Sequence, residues 1–64
     1  LMTDLILTPN LKAPDDLYAD LLAAHEGLSD AESAALNARL VLILANHIGN
    51  QETFRQALDA AKRN

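Results

Sequence analysis

The chain has 64 residues, half of them hydrophobic and 3% aromatic, with no cysteine and a formal net charge of −4. A chain of this length forms one domain at most and buries only about 60% of its unfolded surface. The lack of cysteine excludes disulfides and thiolate metal sites, and the acidic charge argues against a nucleic-acid partner, which usually meets a basic stripe. The apolar residues are mostly leucine, alanine and isoleucine, which favour helices.

The N-terminal residues 1–13 show no helical period, and Pro9 resists helix formation before it. We predict an extended N-terminal arm here. The arm is either a frayed terminus or a segment that lays Leu5, Ile6 and Leu7 on an apolar surface, its own or a partner's. Since the sequence shows neither a signal peptide nor an apolar run of membrane-spanning length, we expect a cytoplasmic protein.

Residues 14–64 form the predicted helical domain, and its first helix covers residues 15–26. The helix begins after a proline, with acidic residues in its first turn that suit the helix dipole. Gly27 can supply the left-handed residue that ends it. Its apolar stripe has helical spacing and consists of Leu17, Leu21, Ala24 and Leu28, with Tyr18, Leu22 and His25 alongside.

The second predicted helix covers residues 30–48. Ser29 and Glu32 have the spacing of a capping box, in which each side chain pairs with a backbone N–H that the first helical turn leaves unpaired. Gly49 is placed to end the helix.

The third predicted helix covers residues 51–62, and Asn50 is placed to cap it. Its apolar residues recur at helical spacing at Phe54, Ala57, Leu58 and Ala61. Because the connections are short, successive helices should be antiparallel. The predicted fold is all-α: a three-helix antiparallel bundle with an extended N-terminal arm and the second helix in the middle.

The segment NARLVLILANHIGN, residues 37–50, is apolar nearly all the way round if it is helical. Such a helix must be covered on all sides. The first and third helices can each cover one side, but the side around Leu42 and Ile43 has no cover. The arm or a partner must supply it, and we predict these partner-contact residues: Leu5, Leu7, Arg39, Leu42, Ile43 and Asn46.

Charge is divided unevenly along the chain. Residues 1–32 carry seven acidic residues and one lysine, a net charge of −6, while residues 33–64 carry four basic and two acidic residues, a net charge of +2. Such opposed halves can steer docking or favour antiparallel packing within the fold.

Polar residues within the second helix require a reason, because asparagine and histidine have only middling helix propensity. One interpretation is that Asn46 and His47 hydrogen-bond loop backbone near the end of the helix. The other is that Arg39 and Asn46, seven residues apart on the polar strip, contact a partner. Arginine is enriched among residues that dominate binding energy.

No residue pattern indicates catalysis or a cofactor. The chain has no glycine-rich phosphate loop and no paired-carboxylate motif, and Ser29 is explained as a helix cap. His25 and His47 could approach each other if their helices are antiparallel, but no further ligand completes a zinc site at a recognisable spacing. We therefore expect no enzyme activity, no catalytic or metal residues and no cofactor.

The segment AHEGLSDAESAALNARLVLILANHIGN, residues 24–50, resembles a small bacterial family of all-helical proteins catalogued as a domain of unknown function. The features that match are His25, Gly27 to Ser29, Leu36 to Leu40 and Ala45 to Gly49. With the upstream PDDLYADLL and the last helix, the likeness covers about residues 15–61. The resemblance implies no catalytic residues. It implies that such chains are encoded beside flavin-dependent aromatic hydroxylases.

Three functions follow from these observations. The first is a non-catalytic protein-interaction module, an accessory subunit of a larger enzyme such as a flavin-dependent oxidoreductase. The second is a structural homo-oligomer in which the central helices pack across a two-fold axis. The third is a small metal- or ligand-binding domain that uses His25 and His47.

Overall fold

The computed structural model describes residues 4–63, which form three helices: α1 (Pro14–His25), α2 (Asp30–Ile48) and α3 (Gln51–Lys62). The all-α prediction is confirmed. α2 and α3 have the bounds expected from the sequence, whereas α1 begins and ends one residue earlier. Residues 1–3 of the predicted arm and residue 64 of the predicted helical domain lie outside the described residues.

The two ends of α1 are set by local sequence. Pro14 occupies the start of the helix, where its fixed φ fits and its missing N–H would be unpaired in any case. The preceding Ala13 gives no side-chain cap, but Asp15 and Asp16 place negative charge at the positive end of the helix dipole. The chain turns at Gly27, whose φ of 77° lies in the left-handed region.

The predicted caps of α2 and α3 are present. The Ser29 hydroxyl accepts a hydrogen bond from the Glu32 backbone N–H at 3.2 Å, and the Glu32 carboxylate accepts one from the Ser29 N–H at 2.9 Å. α2 ends at Gly49, whose φ is 68°. The side chain of Asn50 then accepts from the Thr53 N–H at 2.8 Å, so α3 begins directly after the turn.

α3 packs against α2, and this is the most extensive backbone contact between any two helices in the described part of the chain. Phe54 and Ala57 are half-buried, as their place in the predicted stripe requires. Leu58 and Ala61 belong to the same stripe but are exposed. The inner face of α3 is displaced toward the half-buried Gln56, because the N-terminal arm lies against that side.

The described residues enclose no core: between Asp4 and Arg63 no side chain is buried. The accessible surface is 5782 Å², whereas a compact protein of this mass exposes roughly 4,000 Å². The radius of gyration is 13.5 Å, against roughly 11 Å for a compact chain of this length. The three helices therefore form an open arrangement.

The expectation that α1 and α3 each cover one side of α2 is only partly met. On α2, Leu36, Leu40 and Ala45 are half-buried, but Leu44 remains 51% exposed. The reason is length and composition: α1 and α3 have 12 residues each against 19 in α2, and both are rich in alanine. They supply too few large side chains to enclose the central helix.

Candidate interaction surface

Four of the predicted partner-contact residues lie together on one side of α2. At 100° per residue, Arg39, Leu42, Ile43 and Asn46 fall within an arc of about 100°. All four are exposed, Leu42 by 70% and Ile43 by 64%. Within residues 4–63 the side chains of Arg39 and Asn46 make no hydrogen bond or ion pair. We call these four residues the outer face of α2.

The other two predicted contact residues, Leu5 and Leu7, lie on the N-terminal arm. The Leu5 backbone N–H donates to the Gln56 side-chain oxygen at 2.7 Å, and the Leu5 side chain is half-buried. The arm therefore lies on the chain's own surface at this point. Leu7 is 72% exposed, which leaves it open to a partner.

At Leu5 and Ile6 the arm lies near the turn between α2 and α3. An open cavity of about 580 Å³ is lined there by Leu5 and Ile6 of the arm, by Ile48 at the end of α2 and by Asn50. Arg39 is nine residues before Ile48, about 14 Å along the helix. The arm thus adds apolar surface at the C-terminal end of α2, on a different side from Asn46, because Ile48 and Asn46 are about 160° apart around the helix.

A second apolar surface was not expected from the sequence. It is formed by one row of apolar residues on α1 and one on α2, and these rows were predicted to pack against each other. An open groove of about 350 Å³ separates α1 from α2. The breadth of the apolar stripe on α1, which also includes the exposed Tyr18 and Leu22, was the available signal that one helix could not cover it. We call this the α1–α2 groove; it is lined by Leu17, Asp20, Leu21, Ala24, Leu36, Leu40 and Leu44.

A polar cluster joins the C-terminal end of α1 to α2. His25 Nδ1 lies 3.0 Å from Ser33 Oγ, and His25 Nε2 lies 3.0 Å from Asn37 Oδ1. Ser33 and Asn37 are one helical turn apart on the same face of α2. Because an amide oxygen can only accept, Nε2 donates to Asn37 in this assignment, and Nδ1 of that tautomer accepts from the Ser33 hydroxyl.

This cluster brings together a serine, a histidine and an asparagine, residue types that also occur in nucleophilic sites. The groups around this cluster are those of a contact between two helices, α1 and α2. The Ser33 backbone N–H is bonded to the Ser29 carbonyl at 2.9 Å, so it is not a donor for an oxyanion beside Ser33 Oγ. The geometry accounts for the cluster as a hydrogen-bonded link between α1 and α2.

The two histidines lie far apart. His25 contacts Ser33 and Asn37 near the start of α2, whereas His47 is exposed near its end. His47 is ten residues after Asn37, about 15 Å along the helix. In the described part of the chain, no group of three or more histidine, cysteine, aspartate and glutamate residues could hold a metal ion.

The expected hydrogen bonds from Asn46 and His47 to loop backbone are absent from residues 4–63. Both side chains are exposed beside the turn at Gly49. The asparagine that binds backbone at this turn is Asn50, through Thr53. The hydrogen-bonding explanation of Asn46 and His47 is therefore wrong, and Asn46 belongs to the outer face of α2.

Electrostatics within the described residues are local. Hydrogen bonds from the backbone N–H of Ser29, and then from its hydroxyl, hold the pKa of Glu32 below its ordinary value. Arg55 and Glu52 form an exposed ion pair at 3.5 Å on α3, and such pairs contribute little to stability. Neither interaction involves the outer face of α2.

The fold and its uncovered surfaces define a small all-α protein with large apolar side chains on the outside. No helix of residues 4–63 combines the length and apolar content needed to cross a membrane. A family model described as "Protein of unknown function (DUF2783)" matches residues 5–63, and the chain belongs to this family. Searches of curated proteins and of solved structures find no match.

Proposed function

We propose that the chain is a non-catalytic interaction module that docks on a larger enzyme through the outer face of α2 and the N-terminal arm. The observation that carries this proposal is the exposure of Leu42 and Ile43 beside Arg39 and Asn46, which have no partner among the described residues. Isolated exposed leucines are ordinary on a protein surface. A cluster of two large aliphatic side chains with a cation and an amide has the composition of a binding surface.

The energetics favour docking at this surface. Full burial of a leucine or isoleucine side chain contributes about 1.5–3 kcal/mol. Arg39 can form charge-assisted hydrogen bonds with a carboxylate at the rim of a partner groove. The expected partner surface is therefore an apolar groove that receives one face of a helix, with an acidic residue at its edge.

The proposed partner is a flavin-dependent oxidoreductase of the aromatic hydroxylase type, which the resemblance of residues 24–50 implies. The module would contribute binding and not chemistry, because its described residues form no metal cluster and the sequence has no phosphate-binding loop. The lack of cysteine suits the reducing cytoplasm, where we place this complex.

The test measures binding of the chain to a purified flavin-dependent aromatic hydroxylase from the same cells by isothermal titration calorimetry. Leu42→Asp should weaken binding at least tenfold, because it places a charge where an apolar side chain is buried. Leu58→Asp is the control, since Leu58 is an exposed leucine on α3, outside the outer face. Circular dichroism checks that both variants keep their helices.

Each contrary result has a separate meaning. No binding by the unchanged chain would rule out the flavin-dependent partner. Equal binding by Leu42→Asp and Leu58→Asp would rule out the outer face of α2. Loss of helicity in Leu42→Asp alone would place Leu42 in the module's own fold, against the exposure described above.

A further inference from the structure

We draw no further inference here: the strongest candidate, the open apolar groove between α1 and α2, is an unpartnered helix face, and nothing in the structure shows what covers it.

Discussion

His25 Nδ1 lies 3.0 Å from Ser33 Oγ, so the last residue of α1 is hydrogen-bonded to the first part of α2. The other ring nitrogen is bonded to Asn37, and the imidazole is satisfied at both ends. Since α1 covers so little of α2, these two hydrogen bonds are a large part of what holds the first helix in place.

We therefore expect His25→Ala to lower the free energy of unfolding by about 1 kcal/mol, a fall in melting temperature of about 4–8 °C. Because His25 is partly exposed, the loss in free energy of unfolding should lie near the low end of the range for two hydrogen bonds. Thermal unfolding followed by circular dichroism measures it. His47→Ala is the control and should change the free energy by less than about 0.5 kcal/mol, because His47 is exposed. Equal melting of the two variants would refute the role given to His25.

The capping box makes helicity depend on pH through Glu32. Its pKa is lowered in the folded chain by Ser29, so the stabilisation is present at neutral pH and lost as the pH falls through the folded pKa. Below about pH 4 the unchanged chain should lose helicity that Glu32→Gln, which does not titrate, does not lose. Titration by circular dichroism compares them, with Glu26→Gln as the control. Identical acid profiles for the unchanged chain and Glu32→Gln would contradict this prediction.

The hydrogen bond from Leu5 to Gln56 holds the arm against α3. Gln56→Ala removes the acceptor and should free the arm, while Gln56→Glu keeps an acceptor oxygen at the same position. Amide hydrogen exchange at Leu5 is the direct measurement. Protection should fall to the level of an unstructured segment in the alanine variant and persist in the glutamate variant. Unchanged protection in Gln56→Ala would mean that other contacts hold the arm.

Zinc should leave the melting temperature of the chain unchanged. His25 uses both ring nitrogens within the fold, and His47 lies at the other end of α2, so the two cannot share an ion. Thermal unfolding with a stoichiometric excess of zinc provides the measurement. An increase in melting temperature that disappears in His25→Ala would restore the metal-binding alternative.

The ends of the helices could be predicted because caps depend on residues three positions apart. Ser29 and Glu32 meet in any chain that starts a helix there, and Gly49 is the residue type that a left-handed turn favours. The outer face of α2 followed from the helical period in the same way. Each of these features depends on local geometry alone.

The groove and the histidine cluster could not be predicted, because both depend on the distance between α1 and α2. The helical period places Leu21 and Leu40 on the facing sides of α1 and α2, whatever the distance between the two helices. The seven residues between His25 and Ser33 include a turn whose direction no local pattern fixes. Short-range chemistry determines the helices, and the spacing between them depends on how many large side chains are available to fill it.

The absence of buried side chains between Asp4 and Arg63 has a calorimetric consequence. Unfolding of a single chain exposes less apolar surface than unfolding of a compact protein of the same mass, because a larger share of that surface is already hydrated. Its heat-capacity increment should therefore fall below the about 12–15 cal/mol/K per residue of ordinary globular proteins, and its melting should be broad.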